Sequence, residues 1–312
     1  MVISDDVRKI ADYRNEVLRS NSPDIAGFAR SMPCIKNDPK SGHLRVQAPV
    51  LVIVDVQNDF IRGTLRVDQC PAKEDPVNII GAINDLIKKP FKKIFVSQDW
   101  HPSGHISFYE NREKWKLSPK SPIKNAEQAK IGDTLIFLTS KGDERTQKLW
   151  PAHCIADTPG AALYKDLNIS MSSAGKAFEL IRKGTIVDVE SYSAFGNGEL
   201  EDSGLENHLK MCGADVVFVC GIAFDVCVAE TALNAASRGY RVVLIQDATA
   251  GISKDTMQNK FAEMVSSFIH VTTMGQVPKL MSGELLPLAH IARENYRQAF
   301  PRKPCKLPPE LE

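Results

Sequence analysis

Residues 214–231 read A-D-V-V-F-V-C-G-I-A-F-D-V-C-V-A-E-T, a succession that is typical of a strand, a tight turn and a helix. The first part, 216–220, is a run of β-branched and aromatic residues of the kind that forms a strand buried on both faces. Gly221 ends this strand, and from Asp225 onward apolar residues recur at helical spacing. The segment therefore predicts one strand–turn–helix unit.

Cys227 lies in the first turn of the predicted helix. The partial positive charge of a helix N-terminus favours thiolate over thiol, and free backbone N–H groups at the same turn can hold a developing oxyanion. Cys227 is therefore a candidate nucleophile. The alternative is the more common role of an isolated cysteine, that of a small buried apolar residue.

The same alternation of strand and helix recurs on both sides of this unit. The run V-L-V-I-V-D-V at 50–56 is apolar almost throughout, which predicts a central strand of a parallel sheet. We predict a doubly wound, three-layer α/β/α fold with a mostly parallel sheet. The other predicted strands are 93–97, 178–182, 216–220, 241–246 and 268–272, with helices that begin near residues 75, 203, 225 and 254.

The chain divides into three predicted parts. Residues 1–46 form a helical extension, with a linker over 32–47, and residues 47–285 form the α/β domain. Residues 286–312 form a C-terminal helix and a proline-rich tail. Within the domain, 109–148 is rich in lysine and has one predicted strand, at 135–138, so we expect a surface excursion.

The composition is that of an ordinary globular protein. The 312 residues are 43% hydrophobic and 25% charged, and the net charge of +1 gives no overall attraction to nucleic acid or to an anionic membrane. No apolar run reaches membrane-spanning length, and the N-terminus lacks the apolar core of a signal peptide. Seven cysteines without paired short spacings favour reduced thiols. We therefore expect a cytoplasmic protein, with the nucleus as a further location.

Polar residues stand at the carboxyl ends of four predicted strands, where open α/β sheets place their functional sites. Because these ends share one edge of a parallel sheet, we expect the side chains to line one cleft. They are Asp55 after the first strand, Asp99, His101 and His105 after the second, Lys183 at the end of the third and Cys227 after the fourth.

Cysteine, aspartate and lysine form a chemically sensible nucleophilic set. Asp55 can accept the thiol proton and return it to a leaving amine, so no histidine is needed as a base. Lys183 lowers the pKa of the thiol and keeps the carboxylate ionised. The alternative for Lys183 is an ordinary surface lysine after a strand.

The Asp-x-His pair at 99–101 suits a divalent transition metal, because imidazole nitrogen and carboxylate oxygen are common ligands of zinc, iron and manganese. His153, in L-W-P-A-H-C, is the best candidate for a third ligand. His105 is open as a fourth ligand or as a hydrogen-bonding partner of the ligands. The alternative for an isolated histidine beside proline and glycine is a simple turn residue.

Five short motifs together carry a family resemblance. In this order they span about residues 48–275, and the chain resembles the nicotinamidase and pyrazinamidase group of the isochorismatase-like cysteine hydrolases. The resemblance implies the fold predicted above and a metal-dependent hydrolysis of nicotinamide to nicotinate and ammonia, as in NAD salvage. The motifs are V-D-V-Q-N-D-F at 54–60, D-W-H-P-S-G-H-I-S-F at 99–108, W-P-A-H-C at 150–154, R-K-G at 182–184 and G-I-A-F-D-V-C-V at 221–228.

The resemblance also implies a role for each matching residue. It implies a thioester intermediate on the cysteine, and a divalent ion, zinc in preference to iron or manganese, that holds the pyridine nitrogen. It further implies a cis peptide bond between Ile222 and Ala223. The implied residues are a triad of Asp55, Lys183 and Cys227, an oxyanion hole from the N–H groups of Ala223 and Cys227, metal ligands Asp99, His101 and His153, and a pocket lined by Phe60, Trp150 and Tyr192.

Three other functions compete with this hypothesis. Another amide hydrolase of the superfamily is disfavoured by the metal motif, and a non-catalytic binding protein by the complete set of Asp55, Lys183 and Cys227. Nucleic-acid binding through the lysines of 109–148 has only charge in its favour. The expected partner is thus a small amide, nicotinamide or a pyrazinamide-like compound, with neither nucleic acid nor membrane. Self-association stays open, since relatives range from monomers to larger assemblies.

Overall fold

The computed structural model describes residues 3–21, 23–36, 44–169, 178–198 and 200–311. Its centre is a six-stranded parallel sheet with helices packed on both faces. This three-layer α/β/α arrangement confirms the predicted fold class. Among the helices in these ranges, none combines the length and the apolar character that crossing a membrane requires.

The described residues form thirteen β-strands. In chain order they are β1 (Cys34–Lys36), β2 (Pro49–Val54), β3 (Lys93–Asp99), β4 (Lys116–Leu117), β5 (Thr134–Leu138), β6 (Glu144–Lys148), β7 (Phe178–Lys183), β8 (Gly196–Asn197), β9 (Glu201–Asp202), β10 (Val216–Ile222), β11 (Arg241–Ala250), β12 (His270–Thr272) and β13 (Leu285–Pro287). The central sheet has the order β12-β11-β10-β2-β3-β7, and all neighbours in it are parallel.

The same part of the chain contains nine α-helices and several short turns of 3-10 helix. The α-helices are α1 (Asp5–Arg19), α2 (Ile25–Ser31), α3 (Asn58–Ile61), α4 (Ile80–Ile87), α5 (Leu205–Met211), α6 (Ala229–Ser237), α7 (Lys254–Ser266), α8 (Val277–Ser282) and α9 (Leu288–Ala299). The 3-10 turns are Val67–Gln69, Pro76–Ile79, Tyr109–Asn111, Ala126–Gln128, Pro159–Ala161 and Pro309–Leu311.

β2 and β10 lie side by side at the centre of the sheet, and every residue of both is buried. Their continuous apolar sequences therefore reflect burial on both faces, as predicted. At the end of β10 the two backbones come very close, because a Cβ on Gly221 would lie 2.1 Å from the carbonyl oxygen of Val54. Gly221 also has φ of +118°, a conformation that disfavours other residues.

Two hydrophobic clusters fill the faces of the sheet. On one face, α1, α5, α6, α7 and α9 contribute side chains such as Ile10 and Phe261, and on the other α3, α4 and α8 contribute side chains such as Ile83. Successive residues of β10 alternate between these clusters, Val217 in the first and Phe218 in the second. The sheet is thereby enclosed on both sides, and its carboxyl edge is left for the site.

The two ends of the chain contact each other beside the sheet. α1 packs against α7 and α9, and β1 pairs antiparallel with β13, where Ile35 lies opposite Leu286. The prediction of a linker over 32–47 is therefore wrong where β1 lies, while residues 37–43 of that segment are outside the described residues. The strand escaped prediction because it has three residues and is largely exposed, so it shows no apolar pattern.

The lysine-rich segment 109–148 has more regular structure than its sequence predicts. β4, β5 and β6 form a small antiparallel sheet over a separate hydrophobic cluster that includes Ile106, Leu135 and Phe137. Only β5 was predicted. β6 reads E-R-T-Q-K, and this polar sequence lacks the alternation that indicates a strand.

Replacing Ile10 with alanine is expected to lower the free energy of unfolding by about 2–5 kcal/mol. The Ile10 side chain is fully buried in a hydrophobic core that α1 shares with the central sheet and the helices on that face. Leu18→Ala on the same helix is the matched control, since Leu18 is 39% exposed. Its effect should stay within about 0.5 kcal/mol. Urea unfolding followed by circular dichroism measures both variants, and equal effects would contradict a shared core.

Candidate active site

The buried ammonium group of Lys183, at the end of β7, is the centre of the site. Its Nζ lies 2.8 Å from Asp55 Oδ2 and 2.5 Å from Asp99 Oδ1. It also donates to Cys227 Sγ at 3.4 Å and to the backbone oxygen of Ser191 at 3.1 Å. The ends of β2, β3, β7 and β10 thus bring the three predicted triad residues and one predicted metal ligand into a single connected group.

The two carboxylates keep Lys183 charged. Burial alone disfavours an ammonium ion, but Asp55 and Asp99 outweigh this effect and hold the pKa of Lys183 well above its usual range. The alternative reading of Lys183 as a surface lysine is therefore wrong. The side chain is one of the largest fully buried ones in the described part of the protein.

Asp55 directly follows β2 and has φ of +49°, so the backbone leaves the strand at this residue. Ser97 Oγ donates to Asp55 Oδ1 at 2.6 Å and accepts from the Asp55 backbone N–H at 3.2 Å. Burial raises the pKa of Asp55 to about 6, although the Lys183 ammonium acts in the opposite direction. The carboxylate is therefore a better proton acceptor than an exposed aspartate.

The pKa of the Cys227 thiol is shifted upward, whereas the helix-terminus argument from sequence predicts a downward shift. Burial raises its pKa well above the usual range, and the lowering by Lys183 is smaller than this effect. The side chain is only 7% exposed. The sequence-based argument considered the helix terminus and the lysine but had no measure of burial, which favours the neutral thiol. A nucleophilic role for this residue therefore requires a base beside it.

Cys227 is carried by an irregular turn between β10 and α6. The peptide bond between Ile222 and Ala223 is cis, as the family resemblance implies. The following residues, Phe224–Val228, form a turn of π-helix, and only then does α6 begin. The predicted regular helix from Asp225 is therefore wrong for its first turn. Ala223 and Cys227 both line the pocket described below.

Asp99, His101 and His153 form a group of possible metal ligands, with one ligand atom from each within 4.8 Å of the others. His101 Nδ1 lies 2.9 Å from the Gly184 carbonyl oxygen, and His153 Nδ1 lies 2.7 Å from that of Pro151. Because a carbonyl oxygen can only accept, Nδ1 carries a proton in each ring, and in the neutral ring Nε2 keeps the lone pair that a metal ligand needs. Burial disfavours the charged form of His101, but Asp99 outweighs burial and raises the pKa of His101 to about 9, so metal binding displaces a proton from Nε2.

The Nε2 atoms of the two rings face the same carboxylate. Nε2 of His101 and Nε2 of His153 lie 3.7 and 3.9 Å from Asp99 Oδ2. His101 Nε2 is buried and has no hydrogen-bond partner in the described structure, which is costly for a polar atom without a ligand. Two imidazoles and a carboxylate are a suitable donor set for a divalent transition metal, so the residues present fit such an ion.

His105 lies beside this group. Its ring stacks on that of His101 with the ring centres 4.2 Å apart. Nε2 of His105 is hydrogen-bonded to the Val189 carbonyl oxygen at 3.2 Å, and Nδ1 to Ser107 Oγ at 2.7 Å. The contact with His101 is a ring stack and not a hydrogen bond. One ligand atom each from His101, His105 and Glu190 also lies within 4.8 Å of the others, so both roles that the sequence leaves open for His105 stay predictions.

An apolar pocket lies between Cys227 and two residues of the metal-ligand group, Asp99 and His153. Trp150 Nε1 donates to Tyr192 Oη at 3.0 Å, and the Phe60 ring lies 5.4 Å from that of His153. The structure thus brings all three predicted aromatic residues to the pocket. Its lining residues are Phe60, Leu65, Val67, Cys70, Asp99, Trp150, His153, Glu190, Tyr192, Ile222, Ala223, Val226, Cys227 and Ile252.

Several residues that contact the site were missed by the sequence analysis, and Ser97 and Gln57 are two of them. Ser97 hydrogen-bonds to Asp55, and Gln57 hydrogen-bonds to the backbone of Asp99. Ser97 had one available signal, since it is a polar residue at the carboxyl end of an apolar strand. Gln57 lies inside the V-D-V-Q-N-D-F motif, but no simple pattern indicates which backbone a buried amide contacts.

Comparisons with known proteins agree with this geometry. The model of the isochorismatase domain family matches residues 49–276. The nicotinamidase of Acinetobacter baylyi is 35% identical over 219 residues, which are 70% of this chain and 88% of the relative. The family match spans the whole central sheet and every predicted site residue.

Two solved structures share the fold. The yeast nicotinamidase Pnc1p bound to the inhibitor nicotinaldehyde has a TM-score of 0.59 at 29% identity, covering 72% of this chain and 99% of that one. The pyrazinamidase of Pyrococcus horikoshii in complex with zinc has a TM-score of 0.53 at 29% identity, covering 73% of this chain and 99% of that one. The chain described here belongs to the isochorismatase family.

Proposed function

We propose that this protein is a nicotinamidase that hydrolyses nicotinamide to nicotinate and ammonia, and that it also accepts pyrazinamide, whose ring has the same shape. The observation that carries the proposal is one apolar pocket whose lining includes Cys227 together with Asp99 and His153, two members of the possible metal-ligand group. A carboxamide at the thiol and a ring nitrogen at the ligand group would suit this lining. The relative's inhibitor, nicotinaldehyde, has the same pyridine ring.

The aromatic side chains supply the binding surface for the ring. Phe60, Trp150 and Tyr192 line the pocket, and a flat heteroaromatic ring packs favourably against such residues. The hydrogen bond from Trp150 to Tyr192 holds two of these side chains in place. Positioning of the amide over the nucleophile is a large part of the advantage that an enzyme has over free solution.

The reaction starts with a proton transfer from the Cys227 thiol to Asp55. Sγ then bonds to the amide carbon, and the negative charge that develops on the amide oxygen is held by the N–H groups of Ala223 and Cys227. Because the pKa of Asp55 is about 6, the carboxylate can take the proton and release it again. Lys183 keeps the base and the thiol in contact throughout.

The second half of the reaction uses the same groups in reverse roles. Asp55 returns the proton to the leaving nitrogen, the C–N bond breaks, and ammonia departs from a Cys227 thioester. A water molecule then gives a proton to Asp55 as its oxygen attacks the thioester. The C–S bond breaks, the proton returns to the sulfur, and nicotinic acid leaves and loses its proton to solvent as nicotinate.

Asp99, His101 and His153 are the residues that would hold a divalent metal. When bound, the ion supplies a Lewis acid to which a pyridine nitrogen can coordinate. Zinc is our first choice, with iron and manganese as alternatives, because the Pyrococcus horikoshii pyrazinamidase is in complex with zinc. The hydrogen bonds from His101 and His153 to backbone carbonyl groups orient both rings for this task.

A reducing compartment, the cytoplasm or the nucleus, is proposed as the place of action. All seven cysteines are free thiols in the structure. The proposed nucleophile would be inactive in a disulfide, so a compartment that keeps thiols reduced favours the proposed chemistry.

Replacing Cys227 with alanine is expected to abolish ammonia release from nicotinamide, because no other thiol contacts Lys183 in the described structure. Binding should largely persist, since the aromatic walls and the metal-ligand group are unchanged. A coupled ammonia assay and isothermal calorimetry with nicotinamide measure the two effects. Cys212→Ala is the control, because Cys212 lies outside the pocket. Turnover by the Cys227→Ala variant would refute the mechanism.

His101→Ala is expected to reduce bound zinc to well below one equivalent and to abolish activity along with it. Elemental analysis of the purified variant, together with the activity of wild-type protein before and after chelation, provides the measurement. His208→Ala is the control, because His208 pairs with Glu179 outside the pocket and should leave the zinc content unchanged. Full zinc occupancy in His101→Ala would exclude the proposed ligand set.

Lys183→Met removes the charge between the two carboxylates and is expected to abolish turnover. It should also lower the free energy of unfolding by about 3–5 kcal/mol, the usual effect of breaking a buried ion pair. Lys88→Met is the control, since Lys88 forms an exposed ion pair with Asp85 and should change stability by less than about 1 kcal/mol. An active Lys183→Met protein with wild-type stability in urea would disprove this role.

A further inference from the structure

The pairing between β2 and β3 ends before it reaches Asp55 and Asp99. The two strands pair in parallel as far as Ile53, opposite Val96. Asp55 then adopts its left-handed conformation, and the strand β2 has already ended at Val54. On β3, however, Asp99 lies three residues beyond the last pair, at the point where the cleft opens. Its backbone therefore needs another partner on the side that faces β2.

The side-chain amide of Gln57 is that partner. Its Oε1 accepts from the backbone N–H of Asp99 at 2.8 Å, and its Nε2 donates to the backbone oxygen of Asp99 at 2.8 Å. Nε2 also donates to the Ala161 backbone oxygen at 2.9 Å. Gln57 is fully buried, so none of these groups can exchange its partner for water. The amide thus pairs with Asp99 in the way that a neighbouring strand would.

The same segment is tied to the proposed base. The backbone N–H of Gln57 donates to the backbone oxygen of Asp55 at 2.9 Å. On its other side, Asp99 lies opposite Lys183 in the ladder between β3 and β7. Gln57 therefore connects the backbone near Asp55 with the backbone of Asp99. Lys183, at the end of β7, contacts the carboxylates of both residues through Nζ.

We propose that Gln57 is a positioning residue whose buried amide fixes Asp99 for metal binding and sets its place relative to Asp55. The inference rests on the metal-dependent function proposed above. An amide is needed because the three partners are one donor and two acceptors, and only a side chain with both kinds of atom satisfies them. An apolar replacement removes this partner from the buried N–H and carbonyl groups of Asp99, while the Ala161 oxygen keeps its hydrogen bond from Gln98.

Zinc affinity of the metal-free protein provides the test. Gln57→Met keeps the volume and removes all three hydrogen bonds, so zinc affinity is expected to fall by about 10- to 100-fold, the range typical of residues that orient metal ligands. Gln57→Glu keeps the acceptor for the Asp99 N–H and, when protonated, one donor, so a smaller loss is expected. Competition with a chromophoric chelator, in the absence of substrate, measures the dissociation constants.

Gln98→Met is the matched control. Gln98 precedes Asp99 and is 5% exposed, and its Nε2 donates to the same Ala161 oxygen at 2.9 Å, but it does not contact the Asp99 backbone through its side chain. Its zinc affinity should equal that of the wild type. Thermal unfolding is recorded for all variants, because a purely structural role of the two glutamines would lower both melting temperatures and leave both zinc affinities unchanged.

Unchanged zinc affinity of a folded Gln57→Met protein, or an equal loss in Gln98→Met, would overturn the proposal. If Gln57→Met does not fold, the zinc affinity of Gln57→Glu is compared with those of the wild type and Gln98→Met, and the same two outcomes would overturn the proposal. Wild-type protein that binds zinc but leaves nicotinamide intact would contradict the proposed activity and not the role of Gln57. Wild-type protein that binds no zinc would overturn both.

Discussion

The site depends on one ammonium ion that is buried between two carboxylates. An unpaired charge at this depth would cost several kcal/mol, so Lys183, Asp55 and Asp99 are acceptable inside the protein only together. They meet because β2, β3 and β7 are consecutive parallel strands whose carboxyl ends share one edge. Asp55 and Asp99 carry two negative charges against the one positive charge of Lys183. Nε2 of His101 and Nε2 of His153 face the other oxygen of Asp99. The balancing charge there is either a proton on His101, whose pKa Asp99 raises to about 9, or a metal ion in place of that proton.

The dipeptide Lys183–Gly184 serves both halves of the site. Lys183 holds the proposed base and the thiol, while the carbonyl oxygen of Gly184 accepts from His101 and so sets the orientation of a proposed ligand. Gly184 has φ of +63°, and a Cβ at this position would lie 2.4 Å from Cε1 of His101. The site therefore requires both the lysine and the glycine of the R-K-G motif. Asp99 has a similar double function, with Oδ1 toward Lys183 and Oδ2 toward the histidines.

The sequence was sufficient for the fold and for the choice of candidate residues, because fully buried parallel strands appear as continuous apolar runs and their ends carry isolated polar residues. β2 and β10 are the clearest cases. It failed at β1 and β6, whose pairing depends on contacts that their own residues do not indicate: β1 pairs with β13, far away in the chain, and β6 is polar. It also failed for the pKa of Cys227 and the contacts of Gln57, since burial and hydrogen-bond partners belong to the folded structure.

The high pKa of the Cys227 thiol has a consequence for the chemistry of the resting protein. Oxidants and alkylating agents react with thiolates far faster than with thiols. Burial that favours the neutral thiol therefore also protects the sulfur from indiscriminate damage. Its low exposure adds to this protection. The same burial that makes the sulfur a poor nucleophile at rest makes it a durable one, and slow labelling by a mild electrophile would be no argument against a role in turnover.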